Sequence, residues 1–262
     1  MSIRLFGRLE VRAGGVDVRI SGRHAQALTA LLALRPRPRL RDAIAAELWP
    51  DVDGPSAASL RQALWLVRSS LTTAGLEPEA WLEADQDTLG LRSAASLDLD
   101  VDRFEGLADQ ADDPVAEEAA LSIYRGDLLE GLGHECFAAE RERLSDSYED
   151  LLARVAGTRM ARGDVGGARL AATELLARDP LREEAHAVLI AAYGVAGSRS
   201  QVVRQYRRVC SILRSELAVG PLPETDAVYR IALAAAASRS RERASAIVYD
   251  PAPFVPILVS SA

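Results

Sequence analysis

The first twenty residues alternate between apolar and polar. Ile3, Leu5, Leu9 and Val11 fall at odd positions around Gly7, and after Gly14-Gly15 the alternation resumes at Val16, Val18 and Ile20. A period of two belongs to a strand covered on one face, and two such runs about a Gly-Gly pair predict a hairpin. At Ser21, a residue suited to capping a helix, the period changes. Ala27, Leu28, Leu31, Leu32 and Leu34 recur at helical spacing until Arg35-Pro-Arg-Pro ends the run. A second helix is predicted from Arg39 to Trp49, with Leu40, Ile44, Leu48 and Trp49 inward. Pro50 to Pro55 reads as a turn. Ser56 then caps a third helix reaching Ala74-Gly75, with Leu60, Ala63, Leu64, Val67 and Leu71 as its apolar seam. Trp81-Leu82-Glu83 and Thr88-Leu89-Gly90-Leu91 read as strands flanking an Asp85-Gln86-Asp87 turn.

From Leu97 onward no strand pattern appears before the tail. Helices are predicted near 100–111, 114–124, 135–162, 164–178, 182–196, 199–218 and 223–237. A shift of 34 residues superposes Gly163 on Gly197, Ala168 on Val202, Ala172 on Tyr206, Leu175 on Val209 and Leu176 on Cys210. That period is the one at which helix pairs of the tetratricopeptide (TPR) kind stack, with a concave surface for a partner. Ser238-Arg-Ser-Arg-Glu-Arg reads as a linker. The apolar, proline-punctuated stretch from Ala246 to Val259 is open to three readings: a mobile end, a strand docking back, or the entry to a further domain.

The expected fold is therefore mainly α. A small β-sheet, three helices and a wing hairpin form an N-terminal winged helix-turn-helix, followed by an all-α, TPR-like helical repeat domain. The expected boundaries are 1–95, 96–238 and a linker with tail at 239–262.

Composition narrows the chemistry. The chain of 262 residues contains no lysine, so all 31 of its positive charges are arginines. A P-loop needs its lysine and a Schiff base needs a deprotonatable amine, so both functions are excluded. The net charge of −7 is unevenly spread. Residues 1–95 carry 12 Arg against 11 acids, and 21–75 carry 7 against 4, which leaves the acidity to the second half. A local basic excess is what phosphate attraction depends on. No run is long and apolar enough for a membrane span, and the N-terminus lacks a signal-peptide core. Two distant cysteines, Cys136 and Cys210, predict a reduced, cytoplasmic setting with two buried thiols. His24, His134 and His186 show no ligand spacing, no nucleophile elbow or carboxylate pair stands out, and neither metal, cofactor nor catalysis is expected.

Several stretches resemble a known family. Ala120-Leu-Ser-Ile-Tyr-Arg-Gly-Asp-Leu-Leu-Glu-Gly131, Glu140-Arg-Glu-Arg-Leu144 and Asp179-Pro-Leu-Arg-Glu-Glu-Ala-His186 are similar to a bacterial transcriptional activator domain. Tyr193, Gly197-Ser-Arg199, Tyr206, Leu213, Glu216-Leu217, Pro223-Glu-Thr225 and Tyr229 continue the likeness. Leu48-Trp49-Pro50 and Ala57-Ala-Ser-Leu-Arg-Gln-Ala-Leu64 resemble the OmpR-like winged helix that precedes that domain in Streptomyces antibiotic regulatory proteins. The resemblance covers about residues 3–237. It implies an activator that binds repeated elements in double-stranded promoter DNA through helix 56–74 and engages RNA polymerase, with a homodimer on DNA as one arrangement. Where the family carries two or three arginines late in the recognition helix, this chain has Arg68 alone. That departure motivates the alternative of a regulatory scaffold whose repeats bind a protein or small molecule.

The candidate DNA-reading residues follow from helix geometry. At about 100° per residue, Leu60, Leu64, Val67 and Leu71 share one face, and Arg61, Gln62, Trp65, Arg68, Ser69 and Thr72 the other. Arginine matches guanine and glutamine matches adenine in the major groove. Trp65 either touches a thymine methyl or sugar or packs under the wing, and its residue type favours packing. Arg23, Arg39, Arg41 and Arg92, near helix starts and the hairpin, are candidate phosphate contacts.

Overall fold

The computed structural model describes residues 1–50, 56–92, 97–110 and 113–246, without the side chains of Ser56 and of residues beyond Arg239. The turn expected at 50–55, the Ser56 cap and the tail beyond Ala246 lie outside what is described. The chain forms two compact units that divide at Leu151.

The N-terminal unit opens with β1 (Ser2–Arg4), β2 (Glu10–Ala13) and β3 (Val16–Asp17). The single strand expected over 3–11 is thus two strands, β1 antiparallel to β2, with Ile3 opposite Val11. The chain turns between them at Gly7, whose N–H donates to the Asp127 carbonyl at 3.0 Å. A fourth strand, β7 (Asp98–Leu99), lies parallel to β1 in the order β3-β2-β1-β7. Two residues are too few to show a period, so no strand was expected there.

α1 (Arg23–Leu34) is buried nearly all round at Ala25, Ala27, Leu28, Ala30, Leu31, Leu32 and Ala33, as befits a central helix. Its N-cap is Gly22, not Ser21: the backbone there has φ 88°, a conformation open to glycine, while the Ser21 N–H donates to Ser70 Oγ at 3.4 Å. The second predicted helix begins later than expected. Arg39–Leu40 form β4 against β6 (Thr88–Leu91), and α2 spans Arg41–Leu48. Leu40, expected inward, is consequently 61% exposed. α3 (Ser56–Thr73) buries Leu60, Ala63, Leu64, Val67 and Leu71, the seam its period predicts. β5 (Leu82–Ala84) pairs with β6 in a second sheet ordered β4-β6-β5, which supplies the wing.

The first compact unit continues past the expected winged helix as far as Leu151. Asp100 opens α4 (Asp100–Ala108), and its buried carboxylate accepts the N–H of Leu5 at 2.8 Å and of Phe6 at 3.0 Å. Phe6 meets Phe104 edge-on at 5.2 Å, and Tyr124, just after α5 (Pro114–Ile123), stacks on Tyr148 of α6 (Ala138–Ala161) at 3.9 Å. These aromatics bind the first strands to helices far along the chain.

The C-terminal unit contains α7 (Val165–Arg178), α8 (Glu183–Val195), α9 (Arg199–Glu216) and α10 (Pro223–Ala246). The 34-residue period is structural. Gly163 (φ 81°) and Gly197 (φ 74°) make equivalent left-handed turns before α7 and α9. Ala168 and Val202, like Leu175 and Val209, are fully buried equivalents. His186 is buried between α8 and α9: its Nε2–H donates to the Pro180 carbonyl at 3.0 Å, and its Nδ1 accepts from the Gln205 amide at 2.7 Å. Burial, ahead of its other neighbours, holds this imidazole below the usual histidine pKa. α10 runs through the stretch expected as a linker after Ser238, because arginine, alanine and glutamate sustain a helix and no glycine or proline interrupts it.

Candidate nucleic-acid interface

The candidate face belongs to α3, which α1 and α2 hold from behind. Arg61, Gln62, Trp65, Ser69 and Thr72 are exposed along it, and Arg68 is half-buried with its Nε enclosed and without a hydrogen-bond partner. The helical period alone placed these six together, and the burial pattern agrees. Trp65 departs from expectation. It is 65% exposed, so it does not pack under the wing, because the seam behind it is already filled by leucines, valine and alanine. Its ring is open to solvent on the same helix face as Gln62, Ser69 and Thr72.

The candidate phosphate ligands separate into different settings. Arg41 and Arg61 line one cleft of about 500 Å³ between the starts of α2 and α3 and the β5–β6 turn, with Leu40, Gln86 and Asp87 also in its lining. The Arg41 Nε is enclosed without a partner. The turn itself is pinned by Asp85, whose Oδ1 accepts the N–H of Asp87 at 2.8 Å and of Thr88 at 2.5 Å. Those backbone donors, Thr88 foremost, hold the Asp85 carboxyl below the usual aspartate value. Arg39 is turned away, its guanidinium 2.8 Å from Glu47, which also pairs with Arg35. Arg23 reaches the Gly131 carbonyl at 3.4 Å, and exposed Arg92 follows β6 with its N–H on the Trp81 carbonyl at 2.8 Å. Leu40, Gln86 and Asp87 were absent from the expected set. Only the pairing of β4 with β6 brings them to the α3 start, and nothing in the local sequence signals it.

Among the described residues no three His, Cys, Asp or Glu side chains converge as for a metal, and no helix is long and apolar enough to cross a membrane. Both cysteines are free and half-buried where fully buried thiols were expected, and burial raises the Cys136 thiol to a pKa of about 11. Trp49 Nε1–H donates to His24 Nδ1 at 2.5 Å, which ties that histidine to the end of α2.

Comparison with known proteins accords with this architecture. Residues 99–233 match the family described as the bacterial transcriptional activator domain. A solved structure of Mycobacterium tuberculosis EmbR, in complex with a low-affinity phosphopeptide, is similar at a TM-score of 0.70 and 25% identity, covering 93% of this chain and 69% of that one. No curated protein matches. The matched region spans just over half the chain, and a small N-terminal sheet with a winged helix precedes the helical repeats. The chain belongs to the bacterial transcriptional activator domain family and is a transcriptional regulator of the Streptomyces antibiotic regulatory protein type.

Proposed function

We propose that this regulator binds duplex promoter DNA by laying α3 in the major groove, and activates transcription in the cytoplasm by engaging RNA polymerase. The observation that carries the reading is the two-sided character of α3: one side fills the core, and the other displays Arg61, Gln62, Trp65, Ser69 and Thr72 to solvent. Arg61 suits guanine O6 and N7, Gln62 suits adenine N6 and N7, and the Trp65 ring offers an apolar surface to a thymine methyl. Arg68 completes the face. Arg41, in one cleft with Arg61 and the wing turn, is placed for a flanking phosphate; Arg23 and Arg92 serve more distant ones. Arg39 reaches a phosphate only by leaving Glu47. With so few cations, one copy binds modestly, and a homodimer on repeated elements multiplies occupancy through effective concentration.

Selection of bound duplexes from a random pool, followed by fluorescence anisotropy, tests the reading. A shared sequence should emerge, and Arg61→Ala or Gln62→Ala should cost about 1–3 kcal/mol and relax preference at one position. Equal affinity for the selected and scrambled duplexes at low salt would refute it. The engagement of Arg39 and Arg35 by Glu47 favours one second reading, a scaffold whose helical repeats bind a protein or small molecule while the winged helix leaves DNA alone. The same selection decides between the two.

A further inference from the structure

Away from α3, three arginines from three parts of the N-terminal unit converge on one small cleft. Arg4 comes from the end of β1, Arg103 from α4 and Arg125 from just beyond α5; Asp100, Ser122 and Ile123 complete the lining of a space of about 220 Å³. The convergence is visible in a single atom: Glu10 Oε2, from β2, lies 3.4 Å from an Arg4 amine and 3.8 Å from an Arg125 amine. Two guanidiniums thus already flank one carboxylate oxygen, at distances longer than a charge-assisted hydrogen bond adopts. Arg103 faces Asp98 at 3.8 Å, equally loosely. All three guanidinium side chains are partly open to water, at 46%, 60% and 44%. Such loose, exposed pairs hold their arginines weakly.

We propose that this cleft binds the phosphoryl group of a small phosphate monoester. Three arginines stand here against Asp100 in the lining and Glu10 and Asp98 beside it, so a phosphate dianion enters by displacing the two loosely held carboxylates, Glu10 and Asp98, from their arginines. Asp100 is held in place by the N–H groups of Leu5 and Phe6, which both its oxygens accept, while its charge still attracts Arg125. Planar guanidinium forks suit the oxygens of a phosphoryl group, whereas Ser122 Oγ has its proton on the Ala119 carbonyl at 2.7 Å and donates to a phosphate only by leaving it. The volume is below that of a typical drug-sized site, so the anionic group is what enters and the organic part stays outside. Occupation cross-links β1, α4 and the end of α5 around the Asp100 clasp, which stiffens the join between the first sheet and the activator-domain helices.

Isothermal titration of the full chain at constant ionic strength, with inorganic phosphate in one arm and glucose 6-phosphate in the other, tests the proposal. Saturable one-to-one binding in either arm is expected. Arg103→Gln or Arg125→Gln should weaken it about tenfold or more, Glu10→Gln should tighten it by removing the competing carboxylate, and Arg230→Gln, on α10, should leave it unchanged. Because the replaced side chains are exposed, circular dichroism should show all variants folded. No saturable binding in both arms, or binding that survives the Arg103→Gln and Arg125→Gln double replacement in a folded chain, would overturn it. Neither result depends on DNA binding.

Discussion

Replacing Asp100 with alanine tests the packing argument most directly. Asp100 is 7% exposed, and its carboxylate is the acceptor for two buried backbone N–H groups, those of Leu5 and Phe6. Removing an acceptor strands each donor at a cost of about 1–3 kcal/mol. Two donors give about 2–6 kcal/mol, and the lower half of that range is expected. The reason is that alanine also relieves the burial of a charge. Desolvation, ahead of the hydrogen bonds from Leu5 and Phe6, raises the Asp100 pKa above the ordinary aspartate value of 3.8. Asp100→Asn keeps one oxygen and should lose about 1–2 kcal/mol. The raised pKa has a sign. As pH climbs through 3.8 toward the raised value, the unfolded chain ionises first, so this group's contribution to stability falls and then levels. The penalty of Asp100→Ala should therefore be greater near pH 4 than at pH 7. Urea unfolding followed by tryptophan fluorescence reads the right unit, because all three tryptophans, Trp49, Trp65 and Trp81, precede Leu151. A loss under about 0.5 kcal/mol would refute the assignment of Asp100 as a clasp, and a penalty that grows toward neutral pH would refute the dominance of desolvation over its hydrogen bonds.

Other consequences are as specific. A Cβ on Gly194 would lie 2.7 Å from Ala232 Cα and Cβ, so Gly194→Ala should separate α8 from α10 and cost about 1–2 kcal/mol net of its gain in helix propensity. Gly157, in the interior of α6 with nothing within 4 Å of its added Cβ, should instead stabilise by about 0.5–1 kcal/mol when changed to alanine; thermal melts by circular dichroism check both signs. The lowered His186 pKa favours the neutral ring in the fold. Its contribution is complete above 6.5 and is lost as pH falls from there toward the lowered value, so melting temperature should drop across that window and drop less in His186→Gln. Trp65→Ala should leave stability within about 0.5 kcal/mol of the parent while weakening binding to the selected duplex, an outcome a packed tryptophan could not give.

Much of this protein was legible in one sequence because its long helices bury regular stripes. The α3 seam and the Gly163–Gly197 repeat depend only on period and on turn chemistry, which are local, and they came through with their residues correct. The order of sheet, three helices, wing and helical repeats follows from the same signals, as does the grouping of Arg61, Gln62, Trp65, Arg68, Ser69 and Thr72 on one face. The activator-domain likeness in the second half agreed with the family match over 99–233.

What no local pattern contained was decided by pairing across the chain. β7 exists because Asp98–Leu99 meet β1, and β4 because Arg39–Leu40 meet β6, which turned Leu40 outward and moved the start of α2. Trp65 is exposed because other side chains had already filled the core behind α3, a fact about volume that residue type cannot express. The Asp100 clasp and the cleft of Arg4, Arg103 and Arg125 join residues about a hundred positions apart. Periodicity is a property of neighbours in sequence, and it determined the elements; which of their charged and polar groups meet depends on the three-dimensional close packing of those elements, and only the tertiary structure could decide that.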